Sequence, residues 1–211
     1  MNNLLPGVLA DALYLPVLPY FVAVRGAREI VLAAGDQLSR QSFVNKTRIR
    51  LANKVEMLSV PVYGVRKKQA IRDLRIDYDQ KWLNVHLRGL QSAYGKAPFF
   101  EYFYSDLERV YLQKHPYLLD LNRELLTLCL KFLGWDVKLR VEEAPVEEAH
   151  FRDIRGLIHP KRLKERQGIY HPQPYQQIFG ADFAPDLSIV DLLFCEGPGA
   201  NRILDRSEKS N

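Results

Sequence analysis

Up to Asp79 the apolar residues come in short runs, and beyond it they recur with a helical period. Ala12 to Val17 is an apolar run bounded by Asp11 and Pro19 and predicts a buried strand. Pro19 suits the first turn of a helix, which would continue over 20–25. Glu29 to Ala33 is apolar and β-branched up to Gly35-Asp36, a second buried strand. Strand, short helix and strand in quick succession predict a compact parallel unit. Thr47–Leu51 and Val55–Val62 flank Asn53-Lys54 and predict a hairpin. Ala70 to Ile76 alternates imperfectly and reads as a further strand.

From Asp79, an N-cap candidate, Leu83, Leu87, Leu90 and Tyr94 recur on one helix face up to Gly95. Pro98 opens a second helix with Phe99, Phe103 and Val110 on one side. Leu118, Leu121, Leu125, Leu128 and Phe132 define a third, stopped by Gly134. Val137–Val141 predicts a strand and 142–148 an exposed acidic loop. Residues 152–180 form a long irregular segment, the kind that more often serves a site than a core. Leu187–Phe194 is the last helix, closed by Gly197-Pro198-Gly199. The predicted fold class is α/β: a single domain over 1–205, a mixed sheet with flanking helices, and a Rossmann-like N-terminal unit as one form of it. Residues 206–211 read as a disordered tail.

Length and composition narrow this further. With 211 residues, 47% hydrophobic and 26% charged, the chain fits a soluble globular protein that needs neither disulfide nor metal to be stable. Cys129 and Cys195 lie in apolar helical contexts and read as core thiols of a reducing compartment. The apolar N-terminus lacks a positive leader and is interrupted by Pro6, Gly7, Asp11 and Pro16. No run reaches the roughly 18 apolar residues of a membrane span, so the expectation is a cytoplasmic protein. The net charge of +5 hides an asymmetry: Arg40 to Arg75 holds ten basic and two acidic residues. Such a field suits an anionic small molecule, or is only a solvated face.

The candidate chemistry is polar and aromatic. No Walker loop, dinucleotide fingerprint, nucleophile elbow or zinc spacing is present, so no metal site is assigned and the cofactor stays unknown. Gln41, Asn45, Lys46 and Arg48 cluster before the hairpin, and an arginine fork with an adjacent amide can orient a carboxylate or phosphate. Arg75 is a second candidate cation. Trp82 and His86 share a helix face: Trp82 can stack on a ring, and His86 can act as acid or base near neutral pH. A core-edge aromatic pair is the alternative, and Tyr94 has the same two readings. Tyr175 and Gln176 sit in the irregular segment, where they could close over a ligand. Asp191 lies on an apolar helix and needs a partner if buried. An arginine of the 48–75 stretch is the natural one, making Asp191 either a salt-bridge member or a general base.

These segments together resemble the WbqC-like family. The matching residues are Gln41 to Ile49, Arg75 to Asp77, Trp82 with His86, Ala93-Tyr94, Pro98-Phe99-Phe100, His159-Pro160-Lys161, Tyr175-Gln176-Gln177 and Pro185 to Phe194. The likeness runs from about Tyr14 to Gly197 and is closest to the short form common in Bacteroidota. It implies a place in bacterial surface-polysaccharide (O-antigen) synthesis, and transfer of glycine or another small acyl group to an amino sugar. Long-form members carry His-Gln-Pro shortly before the segment that here is Tyr14-Leu15-Pro16. This chain has Asp11-Ala12-Leu13 there, so no role of that histidine carries over. The opening strand–helix–strand pattern is similar to the nucleotide-binding half of adenylate-forming transferases, a likeness of fold alone.

Three functional readings follow. The first is a group-transfer enzyme acting on an amino sugar or sugar nucleotide, with His86 and Asp191 catalytic. The second is a non-catalytic binding protein for an anionic sugar or nucleotide. A nucleic-acid binder ranks third, because the basic run is interleaved with apolar strand residues and lacks a reading helix.

Overall fold

The computed structural model describes residues 7–38, 42–64, 69–143, 151–162 and 168–208. Its centre is a four-stranded, all-parallel sheet of order β5-β2-β1-β6, formed by Val8–Ala10 (β1), Glu29–Ala33 (β2), Lys138–Glu142 (β5) and Arg152–Asp153 (β6). Alternation along the strands sends Val8, Ala10, Ile30 and Leu32 into the main core. Leu9, Val31 and Ala33 point to the other face, where Phe151 covers them. Helix α1, Leu18–Val24, is buried on every side and links β1 to β2, so the compact parallel unit is present. A separate antiparallel hairpin joins Lys46–Arg50 (β3) to Val55–Ser59 (β4), with Arg48 opposite Met57. Parallel and antiparallel pairing are therefore divided between two sheets.

The first strand lies earlier than the sequence indicates. Residues 12–17 are buried but are not a strand; only Val17 makes a single bridge, to Ser188. Side chains satisfy the backbone there. Asn122 Nδ2 donates to the carbonyls of Ala12 (2.8 Å) and Val44 (2.7 Å). Thr47 and Ser188 hydroxyls both donate to the Leu15 carbonyl, at 2.7 and 3.0 Å. Leu15 takes a positive φ of 37°, a turn no ladder would allow. Ala70–Ile76 is likewise not a strand. It makes lone bridges to three different partners around a 3-10 turn at Ile71–Asp73.

Helices α2 (Trp82–Tyr94), α3 (Phe100–Leu112) and α4 (Leu118–Phe132) follow in series. Asp79 does not cap α2; it accepts from the Tyr63 hydroxyl, and Lys81 occupies the cap position. The buried face of α2 is Trp82, His86, Leu90, Ala93 and Tyr94, with Leu83 and Leu87 only partly covered. On α3 the buried residues are Phe100, Tyr104, Leu107, Val110 and Tyr111, whereas Phe103 is partly covered. Helix α5, Ile189–Glu196, is buried along seven of its eight residues and packs on α2, α3 and α4. It ends at Gly197, whose φ of +50° and contact with the Phe99 ring leave no place for a Cβ. A 3-10 turn then leads into α6, Ala200–Ser207, which the sequence reading did not anticipate. It takes in Arg206 and Ser207; residues 209–211, like the acidic 144–150, lie outside the described residues. Among the described residues no helix is long and apolar enough to cross a membrane.

Candidate functional site

Two hydrogen-bonded networks hold the predicted His86 on one side and Tyr94, Tyr175 and Asp191 on the other, and helix α2 carries a member of each. The first is sealed. His86 is 2% exposed, and its Nδ1 meets the Tyr14 hydroxyl at 2.8 Å. The Tyr111 hydroxyl bonds to Tyr14 in turn, and the His86 ring is also hydrogen-bonded to the Ser59 carbonyl. A proton on Nε2 for Ser59 leaves Nδ1 to accept from Tyr14, so the neutral imidazole satisfies both partners. Burial pushes the imidazole down to about 4, and the bond to Ser59 opposes this without reversing it. Trp82 packs edge-on to His86, with ring centres 5.0 Å apart, and is 6% exposed. The geometry thus gives this pair the core-edge arrangement weighed above, with no open face for a ligand.

The second network surrounds Asp191 in the first turn of α5. Ser188 caps that helix, and its backbone N–H donates to the Arg48 carbonyl at 2.8 Å, tying α5 to β3. The Asp191 side chain is fully buried. Its Oδ1 accepts from the Tyr175 hydroxyl at 2.5 Å and from Gln177 Nε2 at 3.2 Å. Oδ2 makes no well-formed hydrogen bond, although Tyr94 and the Arg50 guanidinium stand near the carboxyl. Burial raises the carboxyl above the ordinary aspartate value. The bonds from Tyr175 and Gln177, the nearby Tyr94 hydroxyl and the charge of Arg50 pull the other way and do not cancel it. Burial, with the Asp191 charge added, holds the Tyr175 and Tyr94 phenols well above their usual value.

Tyr175 and Gln177 also line a hollow of about 220 Å³, with Gln176, Gly180, Asp182 and Phe183 completing its wall. Gln177 clips this loop shut, accepting from Ala184 N and donating to the Ala184 carbonyl, both at 2.9 Å. Phe183 packs edge-on against Tyr175 with centres 5.2 Å apart. Gly180, at φ +92°, lies directly on the Arg50 guanidinium, where a Cβ would overlap Nη2. The hollow is thus a polar loop closed by Gln177 and joined to the buried Asp191 carboxyl through the Tyr175 hydroxyl.

The predicted residues divide accordingly. Asp191, Tyr94 and Tyr175 meet, and Gln176 lines the same hollow. His86 and Trp82 belong to the sealed network. Asn45 holds the open end of the hairpin: Nδ2 donates to the Val60 carbonyl at 3.0 Å and Val60 N returns a bond to its carbonyl. Lys46 and Arg48 are partly buried on β3, and Arg75 is exposed and bridged through its backbone to Tyr117. Gln41 lies outside the described residues. Arg50, within the stretch expected to supply a salt-bridge partner, acts on Asp191 through its charge, while Asp191 Oδ2 and Arg50 Nε each lack a hydrogen-bond partner among the described residues. Sequence reasoning passed over Arg50 and Gln177, though the signal was available. In extended chain alternate residues share a side, so 48 goes with 50, and 175 goes with 177 rather than 176. Both cysteines are free and buried, and burial raises both thiols, which makes neither a nucleophile.

A model of the WbqC-like protein family matches residues 12–155. A protein of Mycobacterium tuberculosis, "Uncharacterized protein Rv1507c", is similar at 27% identity, with 89% of this chain and 92% of that protein aligned. No solved structure matches.

Proposed function

This chain belongs to the WbqC-like protein family, and we propose that it is a group-transfer enzyme whose site is the hollow at Tyr175. It would move an acyl or aminoacyl group, such as glycine, onto an amino sugar or sugar nucleotide in surface-polysaccharide synthesis. The observation that carries the proposal is the 2.5 Å bond from Tyr175, a wall of the hollow, to a buried carboxyl whose affinity for a proton is raised. Perturbed carboxyls next to cavities are the usual acid–base groups of enzymes. Here the sugar's amine would lose its proton to the Tyr175 oxygen as the phenol passes its own to Asp191 Oδ1. The amine nitrogen forms the new bond to the acyl carbon, and the donor's leaving group departs. Gln177 and Gln176 would orient the acyl oxygen, and Arg50 would balance the charge. Ligand pockets commonly measure about 300–1,000 Å³, so a hollow of about 220 Å³ takes the reacting group and one ring edge and leaves a nucleotide outside.

The test is a thermal-shift and product screen with amino acids, amino sugars and sugar nucleotides. A ligand at 100 times its dissociation constant adds about 2.7 kcal/mol of stability. Tyr175→Phe should keep binding and cut turnover about 10²-fold or more; loss of less than threefold removes Tyr175 from the chemistry. The non-catalytic reading is favoured by one observation: His86 is shut away from any ligand. A bound sugar recovered intact after long incubation with every donor class would decide for it.

A further inference from the structure

A second concavity, of about 350 Å³, lies where α4 ends and β5 begins, and shares no residue with the Tyr175 hollow. Trp135, Val137 and Leu139 give it an apolar side, and Thr127, Lys131 and Asp136 a polar rim. Trp135 is partly exposed yet fixed. Its Nε1 donates to Asn201 Oδ1 at 2.7 Å, and Asn201 Nδ2 donates to the Leu133 carbonyl at 2.9 Å. Phe21 packs against the ring with centres 6.2 Å apart. The end of α4 does not need the indole. Gly134, at φ +69°, and the Trp135 backbone N–H already close it on the Lys131 and Leu130 carbonyls. So the Trp135 ring is locked in place, packed against the core by Phe21 while it also lines the open groove.

We propose that this groove binds a pyranose ring of a neutral or mildly polar glycan. The apolar C–H face of the sugar would lie on Trp135, with its hydroxyls bonding to Lys131, Asp136 and Thr127. Three features select that chemistry. The rim offers one cation and one anion, so it has no net charge to attract a phosphate or nucleotide. Thr127 already donates to the Arg123 carbonyl at 2.8 Å, so its hydroxyl is left as an acceptor for a donor-rich ligand. The volume sits at the low end of ligand sites, near one or two sugar rings. The proposal stands on these residues alone and does not require chemistry at Tyr175.

The chain has two tryptophans, and Trp82 is 6% exposed, so acrylamide quenching of the intact protein reports mainly on Trp135. The probes are methyl glucoside, methyl galactoside and N-acetylglucosamine. At least one should protect the fluorescence saturably, with a dissociation constant on the order of 1 mM. Lys131→Ala and Asp136→Ala are exposed changes that leave the fold intact, and each should weaken that protection about three- to tenfold. Tyr175→Phe should leave it unchanged, which separates this site from the hollow. Absence of protection by all three sugars up to about 50 mM, roughly fifty times the expected dissociation constant, overturns the proposal. So does protection indifferent to both rim variants. A peptide that protects where no sugar does would mean that the β5 edge, not the indole face, is the binding element.

Discussion

Asp191→Asn tests whether burial or the neighbouring donors and charge of Arg50 decide how tightly the Asp191 carboxyl holds a proton in the fold. In the fold, burial raises the Asp191 carboxyl above its ordinary value of 3.8, so the folded state binds that proton more tightly than the unfolded chain. Stability from this group is therefore full at acid pH, falls as pH rises from the ordinary aspartate value through the folded one, and is level beyond. Asparagine cannot ionise, and its Oδ1 still accepts from Tyr175 and Gln177. At acid pH the variant should match the wild type within about 1 kcal/mol, and it should become the more stable of the two as pH rises. Asp191→Ala sets the scale. Gln177 Nε2 keeps the Ala184 carbonyl, so the loss falls on the Tyr175 hydroxyl and amounts to about 1–3 kcal/mol. Urea unfolding of the three proteins at a series of pH values from 4 to 8.5, roughly the span in which such groups titrate, measures the differences directly. An asparagine variant whose deficit grows with pH would refute the reasoning. It would mean that the hydrogen bonds and the charge of Arg50 outweigh burial and leave the carboxyl with a lowered affinity for a proton.

Other perturbations have equally definite outcomes. His86 titrates near 4 instead of the usual 6.5, so its protonation in the unfolded chain should withdraw about 3 kcal/mol as pH falls from 6.5 to 4, and His86→Gln should flatten that slope in urea midpoints. The imidazole resonances of His86 should show no titration above pH 5.5, about the limit set by that value. Gly180→Ala adds the overlap with Arg50 to the strain of its positive φ, whereas Gly134→Ala meets open space and bears about 1 kcal/mol of strain alone; thermal unfolding should rank Gly180→Ala clearly worse. Asn122→Ala strips donors from two buried carbonyls, Ala12 and Val44, and should cost about 2–4 kcal/mol in urea unfolding.

How far these features could be read from the sequence depended on what each residue pattern reports. α4 was legible almost to the residue, because Leu118, Leu121, Leu125, Leu128 and Phe132 repeat one face and Gly134 ends it. Residues 12–17 were read as a strand because they are apolar. Apolarity reports burial, and Asn122, Thr47 and Ser188, all distant in sequence, decide that this buried segment is a loop. Helix α6 carries its signal in Ala200, Ile203, Leu204 and Ser207, one buried face at helical spacing, behind glycines that looked like an ending. The site divided in the same way. Tyr94, Tyr175 and Asp191 could be picked by type, but their meeting depends on a loop and two helices whose relative placement no local pattern encodes.

One relation between the two networks follows from element lengths. His86 and Tyr94 are eight residues apart on α2, a rise of about 12 Å, and β3 spans about 13 Å from Lys46 to Arg50. His86 bonds to the Ser59 carbonyl, opposite Lys46 at one end of the hairpin. The Tyr94 hydroxyl accepts the Arg50 amide at the other end, at 3.2 Å. Between them Gly89 faces Ile49 and Leu58. A polar clamp at each end of an apolar contact fixes the hairpin against the helix, since sliding either would unpair buried groups at both ends. Arg50 is then held beside Asp191 by its own backbone as well as by Gly180. The sealed histidine thus bears on the hollow mechanically, by fixing the far end of the strand that presents the guanidinium.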